Sequence, residues 1–143
     1  MSERNFWNLI REPLPLKMYR IENKVAKGTP DVHFIHEGVS GWIELKYIPE
    51  WPKKKVYCGL KQTQALWLKE YYSRGGNCWV AVRIGKEAIA VFSGDTADIL
   101  ISGPTRAEFL NAVSWFKTGR MTKGDWVELT NLLLGSRRDA LKT

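Results

Sequence analysis

Apolar and polar positions along the chain switch repeatedly between a helical and a strand period. Residues 2–11 open on Ser2, a hydroxyl suited to capping, and place Phe6 and Ile10, with neighbouring Trp7, on one side; this predicts a helix. Glu12-Pro13-Leu14-Pro15 ends it, because proline lacks an N–H and restricts the residue before it. Residues 17–23 predict a short strand and Gly28-Thr29-Pro30 a turn. Residues 31–36 (DVHFIH) alternate as a strand does, and the tight connection over 37–41 predicts a hairpin with residues 41–48 (GWIELKYI). A basic loop follows over 49–55 (PEWPKKK). Residues 60–73 predict a helix that stops at Arg74-Gly75-Gly76. Residues 78–84 (CWVAVRI) and 88–92 predict two more strands, joined by Gly85-Lys86-Glu87. Residues 105–117 and 123–134 read as helices, and the tail from 136 as basic and frayed.

Helix, three strands, helix, two strands and further helices make an α/β class, a central mixed sheet flanked by helices. No repeat or long linker divides the chain. It reads as one domain over 1–135, with a core over about 1–93, a helical addition over about 94–135, and a basic tail over 136–143.

A length of 143 residues is enough to bury a core without disulfides. The composition, 44% hydrophobic and 26% charged, is that of a globular domain and excludes a disordered chain. A net charge of +7 and a pI near 9.5 favour polyanionic partners, nucleic acid above all. Two cysteines, Cys58 and Cys78, form no framework, the first residues carry no signal-peptide pattern, and no apolar run is long enough to span a bilayer. The expectation is a cytoplasmic protein with free thiols and no membrane partner. Seven tryptophans are many for this length; some belong to the core and some suit a contact surface.

Candidate chemistry sits on the strand over 41–48. Side chains alternate between faces, so Ile43, Leu45 and Tyr47 share one face and Trp42, Glu44 and Lys46 the other. An acid and a base thus stand side by side on an otherwise apolar strand, where charge is placed only if paired or bound. Hairpin pairing brings Asp31 toward Glu44 and Lys46. Two facing carboxylates repel, and a divalent cation, Mg²⁺ or Mn²⁺, removes that penalty with both as hard oxygen ligands; the Leu45 carbonyl between Glu44 and Lys46 is a candidate third. With Lys46 to orient water or offset charge on phosphoryl oxygens, the set matches metal-assisted phosphodiester hydrolysis.

Pro30-Asp31 followed by Glu44-Leu45-Lys46 resembles the PD-(D/E)XK nuclease signature. The longer ordered set is similar to the VRR-NUC and Holliday-junction-resolvase-like branch, in which short bacteriophage proteins are common. That set is Arg20-Ile21-Glu22-Asn23, Gly28-Thr29-Pro30-Asp31-Val32, Trp42-Ile43-Glu44-Leu45-Lys46 and Gln64. The resemblance covers residues 18–84, about half the chain. It implies a restriction-endonuclease-like core and a metal-dependent endonuclease acting on DNA, branched or structured DNA before a specific sequence. It also implies a homodimer and no nucleotide cofactor. Asp31 and Glu44 would be metal ligands, Lys46 the catalytic lysine, and Gln64, from the helix over 60–73, a neighbour of the metal. An upstream glutamate completes the family's set. Glu22 matches the phage-like pattern and Glu3 the helix-start position of resolvases, with Glu12 a further candidate; the plain alternatives are a surface pair of Glu22 with Arg20 and a favourable charge of Glu3 at a helix N-terminus.

Lys53, Lys54 and Lys55, with Lys61 after them, follow the candidate strand and suit contacts to a nucleic-acid backbone. Arg137, Arg138 and Lys142 add charge to the tail. His33 shares the Asp31 face and reads as a satisfied strand histidine. His33, His36, Cys58 and Cys78 lack zinc-site spacing, and no Walker-type phosphate loop is present. The rival reading is a non-catalytic nucleic-acid-binding module that retains a nuclease fold.

Overall fold

A computed structural model describes residues 2–22, 24 and 26–142, with side chains described through residue 135. The side chains of Arg137, Arg138 and Lys142 lie outside the described residues, as does Asn23. The elements are α1 (Glu3–Ile10), β1 (Lys17–Arg20), β2 (Val32–His36), β3 (Val39–Ile48), α2 (Gln62–Ser73), β4 (Cys78–Ile84), β5 (Ala88–Ser93), a 3-10 turn (Gly94–Thr96), α3 (Ala97–Ile101), α4 (Arg106–Ala112), β6 (Trp115–Thr118) and α5 (Lys123–Lys142).

The six strands form one sheet in the order β1-β2-β3-β4-β5-β6. Only β3 and β4 are parallel, joined by the α2 crossover; the other neighbours are antiparallel. The mixed sheet with flanking helices is the α/β architecture expected. The β2–β3 hairpin closes through Glu37 (φ 49°) and Gly38 (φ 81°), two successive left-handed residues as a type I′ turn requires.

Each face of the sheet carries its own apolar layer. On one, Phe6 and Ile10 of α1 and Leu129 and Leu133 of α5 cover Ile43, Leu45 and Val91. On the other, Ala65 and Leu68 of α2, Leu100 of α3 and Phe109 of α4 cover Val80, Val82 and Phe92. Buried Asn77 fastens α5 to the sheet: its Nδ2 donates to the Leu133 carbonyl (2.7 Å) and its Oδ1 accepts from Trp79 Nε1 (2.8 Å).

The helix expected over 105–117 is corrected. It ends at Ala112, Val113 is already extended, and Trp115 to Thr118 form an edge strand paired antiparallel with β5. The physical reason is the open edge of β5, whose backbone groups need partners, next to a stretch rich in Val, Trp, Phe and Thr. The addition after residue 93 is therefore not helical alone. At the C-terminus, α5 runs on through Gly135 to Lys142 instead of stopping at 134.

Candidate active site

Strand β2 starts only at Val32, which pairs with Ile43, so β3 residues beyond Ile43 have no strand partner on that side. Asp31 fills the gap: its Oδ2 accepts the Leu45 N–H at 3.1 Å, and its Oδ1 accepts from Lys24 Nζ at 2.8 Å. A strand residue aims its N–H and C=O at the same neighbour, so the Leu45 carbonyl faces this gap too. The turn before Asp31 is fixed by Gly28. Its φ is +85°, and a Cβ there would lie 2.3 Å from the Thr63 carbonyl oxygen. Only glycine lets this turn rest directly on the first turn of α2, and that contact seats the segment before Asp31 against Thr63 and Gln64.

Glu44 and Lys46 project from β3 into the space between the starts of α1 and α2. Glu44 is 1% exposed and Lys46 7%. Gln64 Oε1 accepts the Lys61 N–H (2.9 Å), which fixes the amide so that Nε2 donates to Glu44 Oε2 (3.1 Å). Lys46 Nζ stands 3.3 Å from Glu44 Oε2 and 3.7 Å from Glu3 Oε1. Ser2 caps α1 by accepting from the Asn5 N–H, and this holds Glu3 in the first turn over the site. Glu3, Asp31 and Glu44 offer carboxylate oxygens all within 4.8 Å of one another. They line an open cleft of about 630 Å³ together with Lys46, Lys61 and Gln64.

The electrostatics of this group are unfavourable without a cation. Burial first, then the Asp31 charge, push the Glu44 carboxyl up to about 8, against the lowering effect of Lys46 and Lys24; Asp31 is also close enough to share its proton. Glu44 Oε1 is buried and accepts no hydrogen bond from any described residue. An orphaned buried oxygen facing two further carboxylates is a donor set for a hard divalent cation. Glu3, Asp31 and Glu44 fit such an ion, with the Leu45 carbonyl at hand.

The structure brings together Asp31, Glu44, Lys46, Gln64 and Lys61 of the residues expected from sequence and, of the three candidate upstream acids, Glu3. Glu22 is not in the carboxylate group. The Ile21 N–H donates to the Asp31 carbonyl (2.7 Å), so Ile21 stands opposite Asp31 and exposed Glu22, one residue on, falls to the other side. Glu12 is exposed beyond α1. Lys53, Lys54 and Lys55 are exposed but do not line the cleft; Lys55 bridges Thr105, and Trp51 before them packs on Phe109 with Arg106 over its ring. That anchoring turns the loop toward α4. His33 packs against Trp42 (ring centroids 4.8 Å apart). Sequence reasoning missed Lys24 as the partner of Asp31, and nothing in its spacing signals it.

No protein-family model matches the chain, and no curated protein matches it either. Among solved structures, Hjc, a Holliday junction resolvase from the archaeal hyperthermophile Archaeoglobus fulgidus, is similar over 76% of this chain and 95% of its own, with 16% identity and a TM-score of 0.47. Among the described residues no helix is long and apolar enough to cross a membrane.

Proposed function

We propose that this protein is a metal-dependent nuclease that hydrolyses phosphodiester bonds of DNA, with branched or structured DNA as its preferred substrate. The observation that carries the reading is the convergence of Glu3, Asp31 and Glu44 within 4.8 Å around a buried, unpartnered Glu44 oxygen, with Lys46 alongside. The ordered Pro30-Asp31, Glu44-Leu45-Lys46 and Gln64 pattern supports it independently.

Asp31, Glu44 and Glu3, with the Leu45 carbonyl, would hold Mg²⁺ or Mn²⁺. Such an ion supplies positive charge to phosphoryl oxygens and eases the ionisation of water. Lys46, nearly buried between Glu44 and Glu3, would stand beside the reacting phosphate and offset the negative charge that grows there. Gln64 holds the Glu44 carboxylate in one orientation, and Lys61 at the cleft wall meets the strand being cut. A preference for branched DNA is supported by the similarity of the ordered set from Arg20 to Gln64 to the resolvase-like branch. A four-way junction presents two symmetric strands, which motivates a homodimer as the working form; a species of monomer mass in ultracentrifugation with junction DNA speaks against it.

The test is metal-induced stabilisation. Mn²⁺ is expected to raise the Tm of the wild type and to have no effect on Asp31→Asn or Glu44→Gln, with Glu3→Gln in between. Equal Mn²⁺ responses in all four proteins contradict the site, and DNA binding with no metal response favours the non-catalytic module.

A further inference from the structure

A second cavity, of about 340 Å³, opens between α1, the β4–β5 turn and the β6–α5 connection. Arg83, Lys86 and Arg120 stand around it over an apolar floor that includes Leu9, Met121 and Trp126, and no acidic side chain lines it. None of the three cations forms an ion pair with any described residue, although the structure pairs Lys24, Lys46, Lys69 and Lys117 with carboxylates. Arg83 is half-buried, so its charge is only partly screened by solvent. Three uncompensated cations around one cavity raise its potential and favour an anion there.

The cavity adjoins the catalytic cleft. Tyr47 lines the cleft, Arg83 lines the cavity, and the two are partners in the parallel β3–β4 register, so they are neighbours on the α1 face of the sheet, the face opposite Glu44 and Lys46. Helix α1 links the same places, with Glu3 at the cleft and Leu9 at the cavity. Six residues of helix span about 9 Å, so one extended strand can pass from the cleft to the cavity within a few nucleotides.

We propose that this cavity binds a backbone phosphate of the nucleic-acid strand a few nucleotides from the bond being cut, with Arg83, Lys86 and Arg120 as donors and the sugar against the apolar floor. The proposal rests on the nuclease reading and deepens it: a second phosphate anchor fixes the direction in which the substrate leaves the metal site.

The test measures binding of a labelled four-way junction and a labelled single strand across a salt series, with Ca²⁺ in place of Mg²⁺. The proteins are wild type, Arg83→Gln, Arg120→Gln, the double variant and Arg83→Lys. Each glutamine substitution is expected to lower the slope of log affinity against log salt by about one, and the double variant by roughly two. Arg83→Lys retains most of the slope, which separates lost charge from lost folding, and all variants keep the Mn²⁺-induced Tm rise. If the wild type cuts DNA and the double variant keeps its affinity and slope, the second anchor is overturned while the nuclease stands. If the wild type neither binds nor cuts any nucleic acid, both readings fall together.

Discussion

At the scale of single residues, the site is a balance of charges that only partly cancel. Glu44 is the pivot. Its carboxyl titrates near 8 in the folded protein against an ordinary 4.5, raised by burial and by Asp31. A raised pKa means that the metal-free native state holds a proton that the unfolded chain has released. That stability is whole below pH 4.5 and is lost as pH climbs toward 8. The metal-free protein should therefore weaken from pH 5 to pH 8, by an amount on the order of 1 kcal/mol per pH unit. Glu44→Gln should flatten this slope, and Mn²⁺ should stabilise the wild type more at pH 8 than at pH 6, where it must displace the proton. Denaturant titrations at both pH values, with Mn²⁺ and with EDTA, measure all three effects; a wild type equally stable at both contradicts the assigned cause.

Lys46 carries a different prediction. Lys46→Met should reduce cleavage by about 10²–10³-fold while leaving the Mn²⁺ response in place, because the carboxylates remain. Single-turnover rates at saturating metal check it. Asp31, Glu44 and Lys46 were legible in the sequence because a period-two strand shows which side chains share a face and a Gly-Thr-Pro turn marks where the preceding strand begins. The choice among the upstream acids Glu3, Glu12 and Glu22 was not. Glu3 reaches Lys46 because α1 lays Phe6 and Ile10 on the β3 face, a tertiary contact that spacing along the chain does not encode.

At the scale of elements, two joints position the chemistry. One is the Gly28 turn seated on Thr63. Gly28→Ala combines a left-handed backbone with a backbone clash and should cost about 2 kcal/mol or more. The metal response should fall with it, since Asp31 would be displaced from Glu44. Thermal melts with and without Mn²⁺ read both. The other joint is the two-residue β2–β3 turn, which sets the register that leaves Asp31 at the end of its strand. β2, α2, β4 and β5 were readable to within about two residues, because their apolar periods are strong and their ends carry Gly, Pro or a cap. Strand β6 was not readable. Its four residues follow a helix with no Gly or Pro between them, and only the open edge of β5 makes them a strand.

At the scale of the molecule, the sheet is a wall with an apolar layer on each side, and the cleft opens where β2 stops short between the starts of two helices. Ser2 and Glu3 at the start of α1 and Lys61 and Gln64 at the start of α2 line this cleft. The part of the chain beyond residue 93 belongs to this wall. Leu129 and Leu133 cover Ile43 and Val91, and Asn77 binds the Leu133 carbonyl. A chain ending at residue 93 should therefore lose fixed tertiary packing and expose the sheet face that carries Ile43 and Val91; near-UV circular dichroism and dye binding test this, and a cooperative melt from such a chain argues against it.

The central claim is tested most directly by cleavage of a labelled panel: four-way junction, flap, single strand, duplex and RNA. Each is incubated with Mg²⁺, Mn²⁺ or EDTA, for wild type, Asp31→Asn and Lys46→Met. Metal-dependent cutting of DNA by the wild type, strongest on the branched substrates and lost in both variants, is the predicted result. Cutting that survives both substitutions, or binding of every substrate with no cutting in either metal, contradicts a nuclease centred on Glu3, Asp31, Glu44 and Lys46.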